Sequence, residues 1–187
     1  KRQYVASTIG VRQLVEGGTR PVDGQAGTRD PLLANIAIAE SGARIAGIDV
    51  EGQTWSGALV PEASLFSLPT VKEPVRVAFD GVDDLWIVDL SGNLTLYSPT
   101  GRSFPIEVGG LASGDVIRAA VPSRDGTRAA LLVESGPRTN LLLARIVRTS
   151  PTGRVGIEVQ EPIRVESKLV EVVDVAWSSA DSLAVLG

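Results

Sequence analysis

The sequence contains no cysteine, no histidine and no methionine. Without cysteine there is no disulfide framework, no thiolate metal site and no thiol nucleophile, and the redox compartment leaves no trace in the chain. Without histidine the usual zinc ligand and the commonest general base near neutral pH are also missing. Together the two absences exclude many enzyme classes. Because no methionine is present, Lys1 is not a natural start, and the expectation is a processed product or an excised segment. No apolar run approaches the roughly 18 residues that suggest a membrane-spanning helix, and the N-terminal stretch carries no signal-peptide core. Lysine is scarce, at 3 residues against 15 arginines, so any cationic surface here is an arginine surface.

What is present is ordinary for a folded domain. With 187 residues, 43% hydrophobic and 21% charged, the chain is long enough for one substantial core and too apolar for a disordered tail. The net charge of -4 is unevenly spread. Positions 113–170 hold 9 Lys and Arg against 6 Asp and Glu, whereas the final 17 positions hold none against 3. That local excess falls far short of a nucleic-acid footprint and no nucleic-acid-reading motif accompanies it, so nucleic acid is not an expected partner.

Apolar residues alternate with a period of two in short runs rich in Val, Ile, Leu and Ala, separated by Gly, Pro, Ser, Asp and Asn. Strands are expected at Asn35 to Ala39, Ala43 to Asp49, Val75 to Phe79, Asp84 to Leu90 and Asn93 to Tyr97. More follow at Val116 to Val121, Arg128 to Glu134, Asn140 to Arg148, Val172 to Trp177 and Ser182 to Leu186. Turns are expected at Ser41-Gly42, Ser91-Gly92, Thr100-Gly101, Asp125-Gly126 and Thr152-Gly153, where glycine supplies positive φ. The triplets Ile36-Ala37-Ile38, Val77-Ala78-Phe79, Ala119-Ala120-Val121 and Val175-Ala176-Trp177 each open a strand, turn and second strand. About 40–45 residues is the length of a four-stranded propeller blade, whose innermost strand must be narrow. A long hairpin between Thr139 and Arg164 accounts for the wider last interval. The fold class implied is all-β, a β-propeller fragment of about three blades plus the start of a fourth, with a β-sandwich as the rival. Residues 1–33, with an apolar stretch at Val11 to Val15 and glycines at 17, 18, 24 and 27, form a lead-in segment or the strand closing the last blade, and 34–187 hold the blades.

Little in the chain resembles catalytic machinery. Gly110-Leu111-Ala112-Ser113-Gly114 is not a nucleophile elbow, no Ser-x-x-Lys pair occurs, and no phosphate-binding loop is present, so no catalytic, cofactor or metal residues are assigned. Asp80, Asp83, Asp84 and Asp89 form the densest carboxylate cluster and read as a solvated turn, the alternative being a hard-cation site. Asn93-Leu94-Thr95 matches a glycosylation tripeptide but lies in an expected strand. Trp86 and Trp177 read as core, and Trp55 is open between core and a stacking platform. Arg138, Arg145, Arg148 and Arg154 border the long hairpin, which would project beyond the disc; they are the candidate partner-binding residues, against the plainer reading of a solvated face.

Two segments, Val121-Pro122-Ser123-Arg124-Asp125-Gly126-Thr127-Arg128-Ala129-Ala130-Leu131 and Val172-Val173-Asp174-Val175-Ala176-Trp177 followed by Asp181 to Gly187, are similar to the C-terminal propeller of the LpqB-type lipoproteins of actinobacteria. The likeness is clear over Val116 to Gly187 and reduces to a blade rhythm over Asn35 to Glu107. The resemblance implies an extracytoplasmic protein held at the membrane by an upstream lipid anchor. It implies a partner in the extracytoplasmic sensor region of a two-component histidine kinase, and no catalytic residue. The other function left open by the residues is a carbohydrate- or ligand-binding propeller, carbohydrate-active if carboxylates meet in its channel.

Overall fold

A computed structural model describes residues 3–7, 10–15, 18–21, 33–59, 65–68, 71–149, 156–167 and 169–187. Among them every regular element is a strand. Strands β1 (Gln3–Ser7), β2 (Gly10–Val15) and β3 (Gly18–Pro21) form an antiparallel sheet in sequence order. A second sheet comprises β4 (Leu33–Ile38), β5 (Arg44–Asp49), β6 (Thr54–Ala58) and β7 (Phe66–Ser67). A third comprises β8 (Pro74–Phe79), β9 (Leu85–Asp89), β10 (Leu94–Tyr97) and β11 (Ser103–Ile106). The fourth is built from β12 (Val116–Pro122), β13 (Arg128–Ser135), the long β14 (Arg138–Thr149), β15 (Gly156–Val159) and β16 (Ile163–Arg164). Finally β17 (Asp174–Trp177) pairs with β18 (Leu183–Leu186).

The second strands explain how these sheets meet. Leu85-Trp86-Ile87-Val88 and Ala129 to Val133 are unbroken apolar runs, which only a sheet covered on both faces can bury. Leu85 and Ile87 point one way, into a cluster with Ala46, Ile48 and Val77. Trp86 and Val88 point the other way, against Ala120, Leu131 and Val133. The next interface repeats the alternation, with Ala130 and Leu132 packed on Val172 and Val175. Each interface buries several side chains worth about 1.5–3 kcal/mol apiece, so stacking between sheets contributes a large stabilisation. Sheets stacked face to face in chain order, with their first strands side by side, are propeller blades.

Ala37, Ala78, Ala120 and Ala176 lie on the first strands of four different sheets, as their spacing implies. The register of the third is one residue out. Two residues before the hairpin, in the place held by Ala37, Ala78 and Ala176, stands Val121; Ala120 faces the opposite way and is buried against Trp86 and Leu131. A bulge at Arg118 interrupts the β12 ladder between Ile117 and Ala119, at the same distance before the hairpin as the bulges of β4 and β8, which confirms Val121 as the equivalent position. Gly42, Gly92, Gly101 and Gly126 all take positive φ at their turns. Thr152-Gly153 lies outside the described residues, as do Gly17, Gly24 and Gly27 of the N-terminal segment. Asn93 precedes β10 in a turn, where its side chain donates to Asp89 Oδ2 at 2.8 Å.

The hairpin of β14 and β15 forms, but its base does not project freely. Ile146 and Val159 are buried in the cluster around Trp86, and Val159 bridges in parallel to Val108. The physical reason is the apolar pattern Ile146, Ile157, Val159, which gives the hairpin a face to bury against the preceding sheet.

Candidate functional site

The first strands converge on an open cavity of about 700 Å³, lined by Ala37, Arg76, Ala78, Val121, Ala176 and Trp177 among others. Small side chains at the turn-proximal positions keep it open. Arg76 on β8 spans to Asp174 on β17, Nη2 to Oδ1 at 2.7 Å, so the Arg76 charge is satisfied at the cavity wall. The Trp177 indole donates to the Val121 carbonyl at 2.8 Å and ties β17 to β12.

Above the cavity the hairpin tips lock together. Ser41 Oγ donates to Asp83 Oδ2 at 2.8 Å, and Arg44 Nη1 donates to the Asp83 carbonyl at 2.7 Å with its guanidinium 5.3 Å from the centre of the Phe79 ring. Asp83 is held at φ 64°. Gly81 lies so close to the Arg124 carbonyl that a Cβ would approach it to 2.0 Å, and Arg124 reaches Glu40 at 4.0 Å. A rim cross-linked in this way is a pre-organised surface.

The carboxylate cluster is not a solvated turn. Asp80 is 2% exposed and saturated: Oδ1 accepts from the backbone N–H of Val82 and Asp84 at 3.0 Å each, and Oδ2 accepts from Trp86 Nε1 at 2.8 Å and from Arg148. Asp84 is also buried and accepts from Arg148 Nη1 at 2.7 Å. Burial, with Asp80 alongside, pushes the Asp84 carboxyl above the ordinary carboxylate range, even though Arg148 pulls against it. Asp83 serves the rim, and Asp89 holds the next turn by accepting from the Asn93 N–H at 2.8 Å. The spacing reflects turn construction, and the described residues hold no group of three or more acidic side chains arranged for a metal.

A repeated device went unread in the sequence. Asp49 accepts from the N–H of Glu51 at 2.9 Å and Gln53 at 2.8 Å, and from Trp55 Nε1 at 2.6 Å. These are the offsets of two, four and six residues that Asp80 uses. The signal is Asp followed six positions later by Trp, present twice. It assigns Trp55 to turn fixation.

The arginines selected from sequence separate. Arg148 is a half-buried clamp, joining β14 to the hairpin of β8 and β9 with its side chain 24% exposed and Nε without a partner among the described residues. Its distance from a free surface follows from the hairpin folding back on the preceding sheet. Arg138 and Arg145 are exposed, and Arg154 lies outside the described residues. Arg145 stands directly opposite Arg128 across β13 and β14, both exposed, with Arg128 only 4.0 Å from Asp125 Oδ2. Hydrogen bonds from Ser123 and Thr127 hold the Asp125 carboxyl below its ordinary range.

Residues 10–187 match the family model described as the lipoprotein LpqB beta-propeller domain. The chain is 29% identical over 178 residues to lipoprotein LpqB of Streptomyces avermitilis, covering 89% of this chain and 29% of that protein. It is 30% identical over 183 residues to lipoprotein LpqB of Streptomyces coelicolor, covering 91% and 30%. The chain thus spans about three tenths of the length of these relatives. Among solved structures, YCF48 bound to a D1 peptide aligns with TM-score 0.61 at 16% identity, over 100% of this chain and 57% of that one. Human WBSCR16 aligns with TM-score 0.55 at 16% identity, over 84% and 45%.

Proposed function

The chain belongs to the family of the LpqB lipoprotein β-propeller domain, and on that premise we propose that it is the protein-interaction module of a lipid-anchored, extracytoplasmic protein that engages the sensor region of a two-component histidine kinase. The observation that carries the interaction surface is the pair Arg128 and Arg145. Like charges directly opposite across a strand pair are unfavourable, and an acidic partner surface placed over them turns that cost into attraction. The adjoining rim, already locked by Asp83 and Arg44, loses little freedom on docking. Arg138 and Arg145 remain the candidate contacts, and Arg148 is withdrawn from the surface because it holds the fold.

The same geometry supports a non-catalytic reading. Of the carboxylates in and beside the cavity, Asp80 is held by Arg148 and Asp174 by Arg76, which leaves Glu40 at the rim, 4.0 Å from Arg124, without a second free carboxyl to pair with as a glycosidase needs. The test is a calorimetric titration of the purified protein against the soluble sensor region, for wild type, Arg145→Glu and Arg138→Glu. Binding by wild type that is weakened at least tenfold by Arg145→Glu, with the fold unchanged, supports the proposal. Undetectable wild-type binding rejects the kinase assignment, and equal binding by all three forms rejects the surface.

A further inference from the structure

The backbone N–H groups of Ala39, Asp80, Ser123 and Ser178 close the four inner hairpins by donating to the carbonyls of Arg44, Asp84, Arg128 and Ser182. Two and four residues beyond those carbonyls stand Ala46 and Ile48, Trp86 and Val88, Ala130 and Leu132, and Ala184 and Leu186. The first three pairs each face the sheet that follows in the chain. Ala46 and Ile48 pack with Leu85 and Ile87, Trp86 and Val88 with Leu131 and Val133, and Ala130 and Leu132 with Val172 and Val175. None of these six is more than 7% exposed. The fourth pair points the same way by the alternation of a strand, yet it is bare: Ala184 is exposed and Leu186 is 63% exposed. Leu183 and Val185, on the opposite face of β18, pack normally against the cluster of Ala130 and Leu132.

The uncovered face is apolar beyond those two residues. Ala176, paired with Ala184, is exposed, and Val173, 63% exposed, stands beside Leu186 and donates its N–H to the Leu186 carbonyl at 2.8 Å. Asp174, the only charged residue of β17 and β18, is already paired with Arg76. The edge of β18 is a separate observation. Ser178 and Ser182 are a hydrogen-bonded pair, so the ladder turns the N–H and C=O of Leu183 and Val185 away from β17. The matching edges of β5, β9 and β13 are occupied by β6, β10 and β14, whereas β18 has no second neighbour among the described residues. An apolar strand edge left open in this way is a template for pairing.

We propose that this face and this edge are the docking surface for further β-structure of the same polypeptide. Added strands complete the sheet of β17 and β18, and a further antiparallel sheet lays branched aliphatic side chains on Ala184 and Leu186, as Leu85 and Ile87 lie on Ala46 and Ile48. The three covered interfaces specify the occupant: a second strand with aliphatic residues two places apart, as in Leu85 and Ile87 or Leu131 and Val133. The length is available in proteins of this kind, since the chain spans about three tenths of lipoprotein LpqB of either Streptomyces species.

Because the chain has no cysteine, a single introduced thiol reports on each face. In the full-length protein, maleimide labelling of Ala184→Cys, located by peptide mass spectrometry, is compared with Ala130→Cys at the equivalent covered position and Val50→Cys at an exposed turn. Ala184→Cys should react about a hundredfold more slowly than Val50→Cys, at a rate close to that of Ala130→Cys, because labelling then waits on local opening. The rate should not change when the protein is diluted, as an intramolecular contact requires. Hydrogen exchange of the unsubstituted full-length protein needs no variant, and residues 183–186 should exchange as slowly as β13. Labelling of Ala184→Cys as fast as Val50→Cys, or rapid exchange at 183–186, would overturn the proposal. Protection lost on dilution would assign the surface to a second copy and overturn it equally.

Discussion

Replacing Arg148 by alanine should destabilise the protein more than any other arginine substitution on β14. The guanidinium bonds two carboxylates, whose side chains are 0% exposed at Asp80 and 9% exposed at Asp84. Removing one partner of a buried ion pair costs about 3–5 kcal/mol because the other charge is stranded. Arg148 itself is 24% exposed, so water can partly take its place and the lower end, about 3 kcal/mol, is expected. For a chain of this size each kcal/mol moves the melting temperature by about 2–4 °C, and urea unfolding followed by tryptophan fluorescence measures the free energy directly. Arg145→Ala is the matched control at an exposed neighbouring position, expected within about 0.5 kcal/mol of wild type. The deficit should also shrink on acidification. Asp84 titrates above its ordinary range in the fold, so as pH falls towards that raised value the native state takes up the proton before the unfolded chain does, which favours folding. With Arg148 gone the shift is larger and the acid-side gain with it. An Arg148→Ala protein as stable as wild type at neutral pH would refute the clamp and the burial argument together.

Asp49→Ala and Asp80→Ala each remove a buried acceptor of three or more donors, and Asp80, more deeply buried and also paired with Arg148, should lose more, about 3 kcal/mol against about 2 kcal/mol, by chemical denaturation. Gly92→Ala should be severe, by more than about 2 kcal/mol, because φ 86° is combined with a Cβ only 2.7 Å from the Ile117 nitrogen; Gly126→Ala, with positive φ but open space, should cost about 1 kcal/mol. Asp125 is held below its ordinary range, so its contribution is present above the unfolded carboxylate pKa and is lost as pH falls through the depressed one. Asp125→Asn should therefore lie below wild type at neutral pH and converge with it in acid.

Much of the architecture was legible because both faces of the second strands are covered. Leu85 to Val88 and Ala129 to Val133 announce themselves as apolar runs, and the turn glycines mark where each hairpin reverses. The outer strands were not legible. Phe66–Ser67 and Ile163–Arg164 are two residues long and exposed, and Ser103–Ile106 contains Pro105, so neither alternation nor β propensity marks them. Val121 was displaced by Ala120 because the triplet Ala119-Ala120-Val121 fits the pattern in either frame, and only the pairing register counted from the hairpin separates them. Arg148 read as surface for a similar reason. Charge in a hairpin usually faces water, and nothing local shows that Asp80 and Asp84, more than sixty positions earlier, are waiting beneath it.

On the proposed function, the hairpin of β12 and β13, together with Arg145, faces an acidic protein partner. Hydrogen–deuterium exchange of the protein alone and with saturating soluble sensor region tests it most directly. Slower exchange concentrated in residues 123–128 and around Arg145, and its loss in Arg145→Glu, is the predicted result. Exchange that is unchanged throughout the chain would contradict the account.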